Sequence, residues 1–144
     1  MSKLYGIIMA GGSGTRFWPR STKTNPKQFH KFGFEKTLLQ LTADRIGFVD
    51  ETWVVTTELL RQKTSEQLPG AKILAEPIGR NTAACVYWAA REVASIDPSG
   101  VMVMIPADQI VHDIPQFQRV LRHAIEWAKA HDDLVVLGVQ PSRP

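Results

Sequence analysis

Arg16, Arg20, Lys23 and Lys27 follow three glycines, Gly11, Gly12 and Gly14, which alternate with the hydroxylated Ser13 and Thr15. The whole stretch from Met9 to Phe29, MAGGSGTRFWPRSTKTNPKQF, contains no acidic residue. Glycine lets a ligand approach the backbone N–H groups closely and tolerates φ > 0. Successive N–H groups in such a turn form an anion-binding concavity, so a loop of this kind followed by cations suits a polyphosphate. The same glycines would also serve a plain strand-to-helix turn with solvated cations, and short motifs do match by chance. Spelling excludes two phosphate loops. The P-loop ends in Gly-Lys-Ser/Thr, whereas Gly14 is followed by Thr15-Arg16. The dinucleotide fingerprint needs a third glycine, and Phe17 stands in its place.

Asp108 follows an apolar run ending at Pro106. A carboxylate there can hold Mg²⁺, which takes one or two carboxylates plus phosphate oxygens and water; the alternative is a cap on the next turn. Arg16 can grip two phosphate oxygens at once, and Lys27 offers a point charge on a flexible stem. Phosphoryl and nucleotidyl transfer need positioning and charge neutralisation more than covalent help, and these residues would supply both. No nucleophilic triad is evident. His30, His112, His123 and His131 lack metal-ligand spacing, and Cys85, between Ala84 and Val86, reads as a buried, inert thiol.

The elements that must position these groups alternate in type. Leu4 to Met9, Glu51 to Thr56, Lys72 to Ala75, Val101 to Ile105 and Leu134 to Leu137 read as strands. Val101 to Ile105 is continuously apolar, as a central parallel strand is. Thr37 to Ile46, Leu59 to Leu68, Asn81 to Ile96 and Phe117 to Ala128 read as helices, the last with the period of a helix covering a sheet. This alternation implies βαβ units and a mostly parallel sheet. Ligands bind such sheets beyond the carboxyl ends of the strands. The glycine loop, Glu76 to Asn81 and Asp108 all fall at strand ends, and their convergence on one crevice favours the phosphate reading over the plain turn.

The 144 residues, 44% hydrophobic, are about the size of one domain, and no apolar run approaches a membrane span of roughly 20 residues. The formal charge is +3, but residues 1–36 carry seven Lys/Arg against one acid, and the remainder ten against thirteen. Charge concentrated in one loop points to a small polyanion focused in a cleft, not to the spread basic face of a nucleic-acid binder. One cysteine and an N-terminus without a signal-like apolar core fit a cytoplasmic protein.

In order along the chain, AGGSGTRFWPRS, NPKQF, EPIGRNTAA, PADQ and LGVQPSRP resemble the mannose-1-phosphate guanylyltransferases, a branch of the sugar-nucleotide nucleotidyltransferases. The resemblance covers essentially the whole chain. It implies a three-layer, doubly wound, Rossmann-like nucleotidyltransferase fold, with residues 1–144 as its nucleotide-binding portion. It also implies an activity: guanylyl transfer from GTP to mannose 1-phosphate, giving GDP-mannose and pyrophosphate, with Mg²⁺ as cofactor. By resemblance, Gly11, Gly12, Ser13, Gly14, Thr15 and Arg16 hold the triphosphate, and Lys27 stabilises charge on the transferring phosphate. Glu76, Gly79 and Asn81 lie near guanine and ribose, and Asp108 holds the metal.

Three departures stand out. Gln109 replaces a histidine common after the metal aspartate, and Phe17 replaces a leucine. Family members also continue well past SRP, so the fold is expected to be truncated at its C-terminus, with an open sheet edge that favours association and leaves a homo-oligomer open. Two other readings share the loop and sheet: a non-catalytic nucleotide-binding or regulatory module, and a sugar-1-phosphate nucleotidyltransferase of different base or sugar specificity.

Overall fold

Four short apolar runs become the strands of one all-parallel sheet: β1 (Leu4–Met9), β2 (Glu51–Thr57), β3 (Lys72–Glu76) and β4 (Val101–Pro106), in the order β3-β2-β1-β4. The computed structural model describes residues 2–12, 14, 17–79, 81–131 and 133–140. The two inner strands are covered on both faces, and Ile7, Ile8, Trp53 and Val54 have no exposed surface, which is why they read as apolar runs without alternation. Each such side chain stabilises the fold by roughly 1.5–3 kcal/mol relative to an exposed one.

Helices cover both faces. On one face α3 (Asn81–Ile96) buries Cys85, Ala89 and Val93, spaced four apart so that they form one stripe. They pack in a cluster with Tyr5, Ile7, Trp53, Val55 and Leu74. On the other face lies the segment that leaves α1 (Leu38–Arg45). Gly6 makes room for it, since a Cβ there would sit 2.6 Å from Ile46 Cδ1. Thr37 and Gln40 start α1 with a capping box: the Thr37 hydroxyl accepts from the Gln40 amide, and the Gln40 side chain accepts from the Thr37 amide. A 3₁₀ turn, Glu58–Leu60, leads into α2 (Arg61–Gln67).

The chain divides into two compact units, Met1–Ile110 and Val111–Pro144. The first holds the sheet, α1, α2 and α3. The second contains α4 (Ile114–Ala130), capped by Asp113, whose carboxylate accepts from the Gln116 amide at 2.9 Å. Its buried residues, Leu121 and Ile125, lie one turn apart. No helix among the described residues is long and apolar enough to cross a membrane.

Two sequence expectations change. The run Leu134 to Leu137 forms no strand: residues 133–140 join no ladder, and Leu134 is fully exposed. Apolar composition can suit a strand but cannot supply the neighbour whose N–H and C=O groups would pair with it. β4 is also an edge strand among the described strands, not a central one. Continuous apolarity reports that both faces are covered and says nothing about both edges being paired. Met102 and Met104 are accordingly only partly buried.

Candidate functional site

Because all four strands run the same way, the segments leaving β1, β3 and β4 emerge on one side of the sheet. β1 delivers the glycine loop. The Ala10 amide still donates to Val55 O (2.8 Å), so the ladder holds until the loop begins. The Ala10 carbonyl then takes bonds from the buried Gln28 amide (2.7 Å) and the Thr56 hydroxyl (3.2 Å), and Gln28 also reaches Gly12 O at 3.4 Å. These side chains bind the loop's carbonyls from within. Gly14 has φ +60°, and a Cβ there would come within 2.9 Å of the Lys27 amide nitrogen. Glycine is thus required twice at this position, for its backbone conformation and for the close approach of the segment bearing Lys27.

The end of β3 lies against this loop. A Cβ on Gly11 would meet Glu76 Oε2 at 3.2 Å, and one on Gly79 would meet Gly11 O at 3.9 Å. Glu76, Gly79 and the first glycines are therefore neighbours. Asn81 opens α3 and is exposed, with φ +46°. Asparagine tolerates this left-handed conformation better than most residues.

From β4 comes Asp108. The Ala107 amide donates to Met9 O at 3.0 Å, tying the turn to the end of β1. Lys27 Nζ stands 3.8 Å from Asp108 Oδ2 and 5.0 Å from the centroid of the Phe17 ring. The cation and the carboxylate, 81 positions apart in sequence, thus face each other beside the glycine loop. Ser13, Thr15 and Arg16 lie outside the described residues.

Four polar residues that shape this region are not singled out by the sequence: Gln28, Thr56, Thr42 and Arg45. The Arg45 guanidinium donates to Gln109 O (3.0 Å) and to Thr42 Oγ1 (2.8 Å), and the Thr42 hydroxyl donates to Ala107 O (3.5 Å). Arg45 is almost fully buried, and burial lowers its pKa. Its signal is visible in retrospect. Leu38, Thr42 and Arg45 fall on one face of α1 by spacing, so the apolar side of this helix carries a cation. Elsewhere, a hollow of about 290 Å³ lined by Arg20, His30, Lys31, Phe32 and Gly33 lies outside this constellation. A larger cavity of about 610 Å³, lined by Thr52, Trp53 and Lys72 among others, sits at the opposite ends of the strands.

A model of the nucleotidyl transferase family matches residues 5–144. The chain belongs to that family. It is 37% identical over 145 residues to the alginate biosynthesis protein AlgA of Pseudomonas syringae pv. tomato, covering 96% of this chain and 30% of that protein. It is 36% identical over 152 residues to the mannose-1-phosphate guanylyltransferase of Escherichia coli K12, covering 99% of this chain and 32% of that protein. A crystal structure described as mannose-1-phosphate geranyltransferase from Thermus thermophilus superposes with a TM-score of 0.78 at 31% identity, over 88% of this chain and 38% of that one. The chain thus spans about a third of the length of the curated relatives it matches. The α/β nucleotidyl transferase fold, with its parallel sheet layered between helices, agrees with the sequence reading.

Proposed function

We propose that this chain is the nucleotide-binding portion of a mannose-1-phosphate guanylyltransferase, which transfers a guanylyl group from GTP to mannose 1-phosphate in the formation of GDP-mannose. The observation that carries the reading is the pairing of Lys27 with Asp108 at 3.8 Å beside the glycine loop. A nucleotidyl transfer site needs a cation for the transferring phosphate and a carboxylate for a metal within one crevice. Membership of the nucleotidyl transferase family supports the reaction class. Guanine and mannose come from the resemblance and from the relatives' names.

In this reading the N–H groups of Gly11, Gly12, Ser13, Gly14 and Thr15, with Arg16, bind the triphosphate. Glu76, Gly79 and Asn81 border the base and ribose. Lys27 neutralises charge on the α-phosphate as a sugar phosphate oxygen attacks it, the new P–O bond forms and pyrophosphate leaves. Among the described residues no three His, Cys, Asp or Glu side chains gather as a metal cluster. A single carboxylate, Asp108, suits a magnesium ion that takes its remaining ligands from phosphate oxygens and water. Such an ion would supply charge neutralisation on the phosphates.

Calorimetric titration with GTP and Mg²⁺ tests the reading, and no binding to folded protein removes it. Arg16→Ala is expected to weaken GTP binding by about 1.5–3 kcal/mol, the scale of hydrogen bonds to a charged group. Unchanged affinity in that variant would give Arg16 a structural task instead. Pyrophosphate release with mannose 1-phosphate separates transfer from binding alone, and a panel of triphosphates tests the choice of base.

A further inference from the structure

Asp108 is held by a short turn whose flanking carbonyls both point to α1. The Ala107 carbonyl accepts from the Thr42 hydroxyl at 3.5 Å, and the Gln109 carbonyl accepts from Arg45 Nη1 at 3.0 Å. The two donors are joined, because Arg45 Nη2 donates to Thr42 Oγ1 at 2.8 Å. One guanidinium thus fixes the carbonyl after Asp108 directly and the carbonyl before it through a hydroxyl. Both Thr42 and Arg45 are buried, whereas the Asp108 side chain is half exposed and faces Lys27.

A buried arginine is costly unless its donors are well used. Its planar fork suits two acceptors at a fixed separation, which an ammonium cannot match. Here the fork is spent on the turn that carries the carboxylate. The brace is itself rigid: α1 is anchored by its capping box and by Leu38 and Leu39, which have no exposed surface. On the opposite side the turn is tied to β1 by the Ala107 amide.

We propose that Arg45, acting with Thr42, is a positioning residue for Asp108, fixing the 107–109 turn so that its carboxylate is presented to a divalent cation beside the nucleotide phosphates. This rests on the reading of Asp108 as the metal carboxylate.

The test compares Thr42→Val, Thr42→Ser, Arg45→Met and Asp108→Asn in the full chain. Mn²⁺ binding in the presence of GTP is followed by loss of the free-ion electron paramagnetic resonance signal. GTP affinity without metal and amide hydrogen exchange are measured alongside. Thr42→Val and Arg45→Met are expected to weaken Mn²⁺ binding by about tenfold or more, the scale on which residues that orient metal ligands act. Metal-free GTP affinity should stay near the parent value, exchange should quicken at 107–110 alone, and Thr42→Ser should restore binding. A merely structural role would instead loosen the whole sheet and lower GTP affinity with it, and that result overturns the proposal. Folded Thr42→Val that binds Mn²⁺ like the parent, while Asp108→Asn does not, also overturns it and leaves the reading of Asp108 standing. Parent-like binding by Asp108→Asn removes both. If Arg45→Met fails to fold, the two Thr42 variants decide.

Discussion

Neighbouring glycines in the loop do different work, and substitution separates them. Gly14 combines a left-handed backbone with the Lys27 amide 2.9 Å from where a Cβ would be. Gly14→Ala is therefore expected to lower stability by about 1–3 kcal/mol, the range of strained backbone sites, and to disturb Lys27 as well. At Gly12 a Cβ would meet nothing within 4 Å. Gly12→Ala should change stability by less than about 0.5 kcal/mol, and on the proposed function it should weaken GTP binding, because the methyl group would take space assigned there to the phosphates. Chemical denaturation and nucleotide titration of the two variants check the contrast. The sequence shows that glycines matter here. Which of them the chain itself needs as glycine depends on Lys27, 13 residues beyond Gly14, and so on tertiary structure.

At the scale of elements, the 3₁₀ turn Lys27–Phe29 carries Lys27, which faces Asp108, and the buried Gln28, whose amide reaches the Ala10 and Gly12 carbonyls. Gln28→Leu removes the amide from a buried carbonyl and is expected to cost about 1–3 kcal/mol. The Ala10 carbonyl retains the Thr56 hydroxyl, so the lower end of that range applies if the loop does not move. Urea unfolding gives the value, and a GTP titration shows whether the loop kept its form. The strands β1 to β4 and helix α3 were legible because apolar runs and stripes are written locally. Asn25-Pro26 marks the turn before Lys27, but nothing local marks Gln28 as the prop beneath the loop. The start of α4 lies three residues earlier than its apolar period suggests, at Ile114, because Asp113 and Pro115 supply the start signal before the first periodic residue. Leu134 to Leu137 has the composition of a strand, yet pairing is a property of two segments, and one segment cannot disclose it.

Over the whole molecule, charge is divided between the two ends of the sheet. At the amino ends of the strands, Lys3 Nζ meets Glu51 at 2.8 Å, the Lys3 amide donates to Asp97 at 3.1 Å, and the Leu4 amide donates to Asp50 at 2.7 Å. The Lys3 bonds hold the Glu51 and Asp97 carboxyls below the usual carboxylate range. Groups with depressed pKa contribute stability above their unfolded pKa, and it is lost as pH falls through the folded value. Toward the other end, burial pushes the Cys85 thiol up to about 11, with the Glu76 carboxylate adding to it. A raised pKa works in the opposite sense: its contribution is complete below the ordinary thiol value and is lost as pH rises toward about 11. Thermal unfolding should therefore show a plateau at neutral pH that declines on both sides. Cys85 should label slowly with thiol reagents at about pH 8, below the ordinary thiol range, until the protein is unfolded, and rapid labelling of the folded chain would contradict its burial.

The ion pair between Lys27 and Asp108 has a consequence for the order of events. With Asp108 as the metal carboxylate, as proposed above, the ammonium and the divalent ion would compete for one carboxylate, and each would loosen the other's hold on it. On that proposed reading, Lys27→Met is expected to tighten Mn²⁺ binding modestly, by about 0.2–1 kcal/mol for a contact whose carboxylate is half exposed. On the proposed function, a nucleotide arriving with its metal would engage Asp108 and free Lys27 for the phosphate, making a spectator of the lysine until the substrate is loaded and a participant only afterwards.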